Sequence, residues 1–337
     1  MRIPTLVAAI MALAMLAGCV GSAGGGYALA PEADSAAAIP ATALGLAAAG
    51  DYRFDVGLAY MDIGEEDPDG NDLTEVDAWI AGITFYPAAV AADAMPFALQ
   101  PYVQRAGYVR LAMGIGEAES VGSGATSDVN QYEFGTAVIS SESGLGARFL
   151  GRYRKIALDT GTDLNRYDLE GAFTWQDENG FAVELVLKES SAHDWDELGL
   201  FPLGFETVFR GVGFGVRKAF VFEDAGQALD LSASAEFGKF DWLNVLGLED
   251  ESFLFEAALT YYPAQMFGIG VSVESRSFED GSIGDFEYTV IGGELTFTIV
   301  ERVDVDVSYT VLEKDLPTGT PLPNEISTLT VTVGLRF

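Results

Sequence analysis

Residues 329–337 read LTVTVGLRF, with apolar side chains at every odd position from Leu329 to Phe337 and Thr330, Thr332, Gly334 and Arg336 between them. A period of two marks a strand whose two faces meet different surroundings. The same alternation begins at Tyr52, where Tyr52, Phe54, Val56, Leu58 and Tyr60 alternate with Arg53, Asp55, Gly57, Ala59 and Met61. It returns at Trp79–Phe85, Val109–Ile115, Tyr132–Val138, Leu145–Tyr153, Tyr167–Trp175 and Phe181–Leu187. Further segments follow at Val212–Val216, Leu229–Phe237, Phe253–Tyr261, Phe267–Val273, Ile291–Ile299 and Val303–Val311. The pattern predicts an all-β chain of about 14 strands, within a range of about 12 to 16. One segment changes phase: Phe286, Tyr288 and Val290 are even, whereas Leu295, Phe297 and Ile299 are odd. A bulge near Gly292–Gly293 is the expected cause.

The connections take turns in length. SESG (141–144), DENG (177–180), EDAGQ (223–227), PAQM (263–266) and VERV (300–303) are short. EEDPDGNDLTE (65–75), SAHDWDELGLFPLG (191–204), LNVLGLEDES (243–252) and KDLPTGTPLPN (314–324) are long, and most are acidic. Such two-sidedness is expected of an up-and-down antiparallel β-barrel in a bacterial outer membrane, with short turns in the periplasm and long loops outside. The stretch YPAAVAADAMPFALQP (86–101) is an exception, long for its side.

Physics assigns the faces. The positions opposite the apolar set carry Arg53, Asp55, Glu170, Glu184, Glu236, Glu256, Glu274, Asp304 and Asp306. Packing these into a dry core without partners is prohibitive. They are therefore expected in a water-filled lumen, with the apolar set against lipid and aromatics such as Tyr60, Trp79, Tyr167 and Trp175 at the two interfaces. A closed sheet is the only sheet that satisfies its backbone in lipid. The closing segment resembles the C-terminal strand of outer-membrane barrels, in which the terminal aromatic, here Phe337, is part of the signal read by the barrel-assembly machinery. Residues 51–337 as a whole resemble porin-like barrels in architecture, and ALQPYVQRAGYVRLAMGIG (98–116) is similar to the third-strand region of uncharacterised porin-like proteins of Gram-negative bacteria. The resemblance implies both chain ends in the periplasm, contact with outer-membrane lipids and lipopolysaccharide, and passage of small hydrophilic solutes or cations.

The first residues differ from the rest. Arg2 precedes an apolar run, Thr5–Leu16, too short to span a bilayer, which is the form of a signal peptide. Leu16-Ala17-Gly18-Cys19 resembles a bacterial lipobox. That resemblance implies removal of residues 1–18 and lipidation of Cys19; the alternative is ordinary cleavage near Ala28-Leu29-Ala30. Residues 19–50, rich in Ala and Gly, read as a linker, with a plug as the alternative. Residues 51–337 form the barrel.

Composition sharpens this division. The chain is 49% hydrophobic yet carries 51 acidic against 18 basic residues, a formal charge of −33. Both coexist when charge sits in loops and lumen. So acidic a chain excludes nucleic acid as a partner, because phosphate contacts need clustered Lys and Arg. Cys19 is the single cysteine and His193 the single histidine, so neither an internal disulfide nor a His-rich metal site is available, and no cofactor is expected.

The lumen charges are uneven. Arg110, Arg148, Arg152 and Arg154 form a basic ladder near Glu133, Asp168 and Glu170, while Glu236, Glu256, Glu274, Glu294, Asp304 and Asp306 make the far wall acidic. Opposed walls set a field across a pore and tune ion selectivity, here toward cations; the alternative is that the arginines pair with neighbouring carboxylates to stiffen the wall. Glycines such as Gly57, Gly82, Gly114, Gly213, Gly268 and Gly270 keep the bore open or allow curvature. Asp67, Asp69 and Asp72 resemble the start of a calcium loop but lack a glutamate at the twelfth position, and an acidic turn is the simpler reading. Ser190, Ser191, His193, Asp194 and Asp196 gather hydroxyl, imidazole and carboxylates in one loop. A triad needs support from separate elements, so a non-enzymatic barrel is expected. The runner-up function is a non-conducting surface barrel that binds partners through its acidic loops.

Overall fold

A computed structural model describes residues 51–66, 72–91, 96–120, 125–158, 163–193, 207–222, 227–243, 248–279, 286–300, 303–315 and 325–336. Cys19, Asp67, Asp69, Asp194, Asp196 and Phe337 lie outside the described residues, as does the side chain of Asp72. Among the described residues there are fourteen strands: β1 (Tyr52–Glu66), β2 (Asp72–Val90), β3 (Tyr108–Ser120), β4 (Ala125–Ile139), β5 (Leu145–Leu158), β6 (Asp163–Gln176), β7 (Phe181–His193), β8 (Thr207–Phe222), β9 (Gln227–Leu243), β10 (Leu248–Ala264), β11 (Phe267–Glu279), β12 (Phe286–Val300), β13 (Val303–Asp315) and β14 (Glu325–Arg336). Every strand pairs antiparallel with its neighbours in sequence. β14 returns to β1, with Gly57 opposite Gly334 and Met61 opposite Thr330, so the sheet has no free edge. The strand number and the closed up-and-down order match the reading of the sequence.

The short turns follow from their residues. Gly144 and Gly180 adopt φ of 70° and 73°, a region open to glycine. A Cβ on Gly144 would lie 1.9 Å from the Gln176 carbonyl oxygen, so no other residue fits there. In the second turn the Asp177 carboxylate accepts from the backbone N–H groups of Asn179 (2.9 Å) and Phe181 (2.7 Å).

Two local expectations change. β12 runs without a register shift past Gly292–Gly293: Gly292 faces Ser272 and Gly293 faces Val271 in an unbroken ladder. The phase change arises because Tyr288 and Val290 point inward, onto an apolar patch, rather than outward. Register shifts lie elsewhere, among them one between Thr298 and Val300 against β13 and one between Tyr52 and Phe54, whose partners are Val90 and Phe85. Pro87 lies in the extra stretch of β2; it lacks an N–H and is confined to such breaks. The slip turns Tyr52 inward, against Tyr86 at 5.8 Å, and leaves Arg53 exposed, donating to the Pro87 carbonyl.

The outer face is apolar across its middle band and turns acidic toward the long loops, at Glu75, Asp77, Glu117 and Glu119. Val138 is 71% exposed and Phe173 63%, and Leu111, Leu187, Phe214, Val271 and Ile291 are exposed likewise. Aromatics edge this surface in cross-strand pairs: Tyr60–Trp79 and Tyr153–Tyr167 toward the long loops, Phe54–Phe85 and Phe267–Phe297 toward the short turns. From Tyr167 to Trp175 the strand runs about 26 Å along its own axis, which at the roughly 40° tilt of a membrane barrel covers about 20 Å of height, most of an outer-membrane apolar band.

Candidate functional site

The interior is layered along the barrel axis. At the short-turn end, Tyr52, Tyr86, Val90, Tyr108 and Ala137 of β1–β4 pack together inside the wall. The connection from β2 to β3 reaches into this mouth. It carries a 3₁₀ turn, Phe97–Leu99, and one α-helical turn, α1 (Gln100–Val103), and crosses to the opposite wall. Leu99 and Tyr102 are buried against Ala182, Ala219, Ala228 and Tyr262 of β7–β10. The Tyr102 hydroxyl donates to the Gly180 carbonyl at 3.2 Å, Gln176 Nε2 donates to the Tyr102 carbonyl at 2.8 Å, and the Arg217 guanidinium lies 4.1 Å over the Tyr102 ring. Gln104 ties down the near side, its amide accepting from the N–H of Ala91 and donating to its carbonyl, both at 2.7 Å. Much of the length of 86–101 is explained: β2 runs on to Val90, and Phe97–Val103 form a strap that reaches the opposite wall. The bed of alanines facing it is the sequence signal, legible only once the opposite wall is known.

The middle layer is charged. β5 points Arg148, Arg152 and Arg154 inward. Arg152 Nη2 binds Glu133 at 3.0 Å and Arg110 Nε reaches the same carboxylate at 3.2 Å. Arg148 bridges Glu170 (2.8 Å) and Glu184 (3.2 Å). Asp168 accepts from Arg166 at 2.8 Å and from Ser190 at 2.5 Å. Arg154 Nε donates to Gln131 Oε1 at 3.0 Å. The chain of pairs continues onto the acidic wall: Lys188 lies 3.6 Å from Glu170 and 3.0 Å from Glu236, and Arg276 lies 3.8 Å from Glu236. Glu256 accepts from Ser234 (2.8 Å) and Glu274 from Tyr288 (3.1 Å). Near the closure, Arg336 joins Asp55 (3.5 Å) to Asp304 (2.7 Å). Arg110, Arg148 and Arg152 of the basic ladder are thus tied to carboxylates of nearby strands, and Lys188 and Arg276 interrupt the acidic wall. Their inward parity was readable, since Lys188 follows Glu184 at i+4 on β7 and Arg276 follows Glu274 at i+2 on β11.

The lumen is not uniformly packed. Glu236 is 1% exposed and Arg154 2%, whereas Glu294, also inward, is exposed. Its register partner is Gly270, and on the next strand Asp306 and Ser308 are partly open. Water therefore reaches the inner surface of β11–β13. Gly268 serves a different purpose from widening the bore: a Cβ there would lie 2.6 Å from the Tyr262 ring, which rests in the space the glycine leaves.

Toward the long loops the inner wall turns apolar. Met61, Ile63, Val76 and Ala118 of β1–β3 are buried with Tyr288, Val290, Leu312 and Ile326 of β12–β14. The expectation of a polar inner set holds for the middle layer and is corrected here. His193 closes β7 opposite Asn165. Among the described residues no group of histidine, cysteine and carboxylates is arranged to hold a metal ion.

No protein-family model and no curated protein matches the sequence. Among solved structures, the outer membrane protein Omp33 of Acinetobacter baumannii is similar at 12% identity, covering 86% of this chain and all of that one, with a TM-score of 0.48. An outer membrane channel of Pseudomonas putida F1 is similar at 10% identity over 91% of this chain and 99% of that one, TM-score 0.45. OmpT of Vibrio cholerae is similar at 11% identity over 87% and 99%, TM-score 0.42. The barrel assignment stands on strand order and register independently of these likenesses.

Proposed function

We propose that the chain is an outer-membrane channel for small hydrophilic solutes or ions, mildly cation-preferring, with both ends of the barrel domain in the periplasm. The carrying observation is the inversion of polarity: charged side chains inside, a broad apolar band outside. In water this arrangement would expose an apolar patch far larger than monomers tolerate; in lipid it is the required one. The open strip beside Glu294 and Asp306 is the path, and its acidity favours cations. The strap narrows the periplasmic mouth and restricts passage to small species. The test is permeation of sugars of graded size into liposomes carrying the refolded protein. Small sugars enter and larger ones are excluded if the proposal holds; no permeation above protein-free liposomes overturns it.

The close packing around Glu236 and the strap favour a second reading, a closed barrel that displays its acidic loops to a partner. The same liposomes separate the two. The lipid anchor at Cys19 is also proposed. Metabolic labelling with a fatty-acid probe is expected to mark the wild type and not Cys19→Ala; an unlabelled wild type ends the idea.

A further inference from the structure

The open strip on β11–β14 has a chemistry of its own, set by register. On the inner face Glu294 pairs with Ser308, and Ser308 with Thr330. One row nearer the long loops, Ser272 pairs with Gly292, and Thr310 with Thr328. The two rows lie about 7 Å apart along the strands. Ser272 and Glu294 are exposed, and Ser308, Thr310, Thr328 and Thr330 are half-buried. The row below adds Asp306, between Thr296 and Thr332. Glycines make the room. A Cβ on Gly270 would lie 2.8 Å from Thr260 Oγ1 and 3.4 Å from Glu294 Oε2, so both polar groups lean over that glycine; a Cβ on Gly292 would collide with the Ser272 hydroxyl. The strip ends above at Val290, Leu312 and Ile326 and below at the Arg336–Asp304 pair. Between Arg276 and Arg336, among the described residues, no basic side chain of β11–β14 points inward.

We infer that this hydroxyl track selects small uncharged polyols among the solutes that pass, an inference that rests on the channel function proposed above. Each Ser or Thr hydroxyl donates and accepts, whereas the carboxylates of Glu294 and Asp306 only accept. The wall therefore presents more acceptors than donors. A solute rich in O–H groups matches it, because each group donates to the wall and still accepts from it. A solute whose oxygens are mostly ethers cannot satisfy the carboxylates. A hydrated inorganic cation uses the two carboxylates and leaves the hydroxyls without a role. An anion meets two carboxylates of its own sign. An apolar solute strips water from the hydroxyls and returns no hydrogen bond. A short polyol reaches from one row to the next, so it exchanges one set of hydrogen bonds for another as it moves.

The test compares xylitol with triethylene glycol, solutes of closely similar mass that differ in O–H donors. Their entry is measured by swelling of liposomes that carry the refolded full-length protein, with protein-free liposomes subtracted. Xylitol is expected to enter at least about fivefold faster, the size of one net hydrogen bond. Ser308→Ala with Thr330→Val deletes two hydroxyls that face each other and is expected to bring the ratio toward one. Ser327→Ala, on the outer face of β14, is the control and is expected to keep the wild-type ratio. Equal entry of the two solutes into wild-type liposomes, an unchanged ratio in the double variant, or an equal loss in Ser327→Ala would overturn the inference. Potassium current in a planar bilayer with no preference for xylitol defeats this inference and leaves the channel standing; a barrel that passes neither potassium nor either solute defeats both.

Discussion

Glu133 shows how a single residue is used inside this wall. It lies between Arg110 and Arg152, within 3.2 Å of both. Removing one partner of a buried ion pair leaves the other charge uncompensated, which costs about 3–5 kcal/mol. Glu133→Gln is therefore expected to lower the stability of the refolded barrel by about 3 kcal/mol in urea titration; an unchanged midpoint would mean that water already screens the two arginines. The pairing was half legible. Alternation placed Arg152 and Glu133 on one face, but it gave no sign of which carboxylate each arginine takes, since that depends on register across strands. Tyr52 was misread for the same reason: a slip at Pro87 moves it from the outer face to the inner one, and period-two counting cannot see a slip on the partner strand.

The strap is the element whose behaviour departs most from its sequence. Residues 97–103 are short and contain Pro101, and nothing local says that they cross the mouth. Their anchor is Tyr102, held by Gly180, Gln176 and Arg217. Tyr102→Ala removes a buried ring at a cost of about 3 kcal/mol, and it is expected to raise single-channel conductance by freeing the mouth; conductance equal to wild type would place the narrowest point elsewhere. The strands themselves were legible because both faces are strongly typed. Leu169, 49% exposed midway along β6, is on the lipid face. Leu169→Arg is expected to cost about 2–4 kcal/mol in lipid, measured by refolding into liposomes, and little if the outer face meets water. The apolar inner row near the long loops was not legible, because the alternation inverts there: Asp62, Asp77, Glu117 and Glu119 take the outer face, and Met61, Ile63, Val76 and Ala118 the inner one.

On the scale of the whole molecule, the excess of 51 acidic over 18 basic residues and a 49% hydrophobic composition are reconciled by separation into lumen, loops and outer face. The barrel turns a soluble protein's arrangement inside out. Its interior passes from a strapped aromatic floor through a paired-charge middle, most open to water at Ser272 and Glu294, to an apolar wall over β12–β3. Closure, strand number and the two unlike ends were all readable from period and loop length. The layering was not, because it depends on which inward residues share a height. The most direct measurement is the current through the refolded protein in a planar bilayer under a KCl gradient. A reproducible unitary conductance is expected, with a reversal potential displaced toward that of K⁺, and Glu294→Gln with Asp306→Asn is expected to move it back toward zero. A bilayer that stays silent with correctly inserted barrel, or a reversal potential displaced toward that of Cl⁻, would contradict the account.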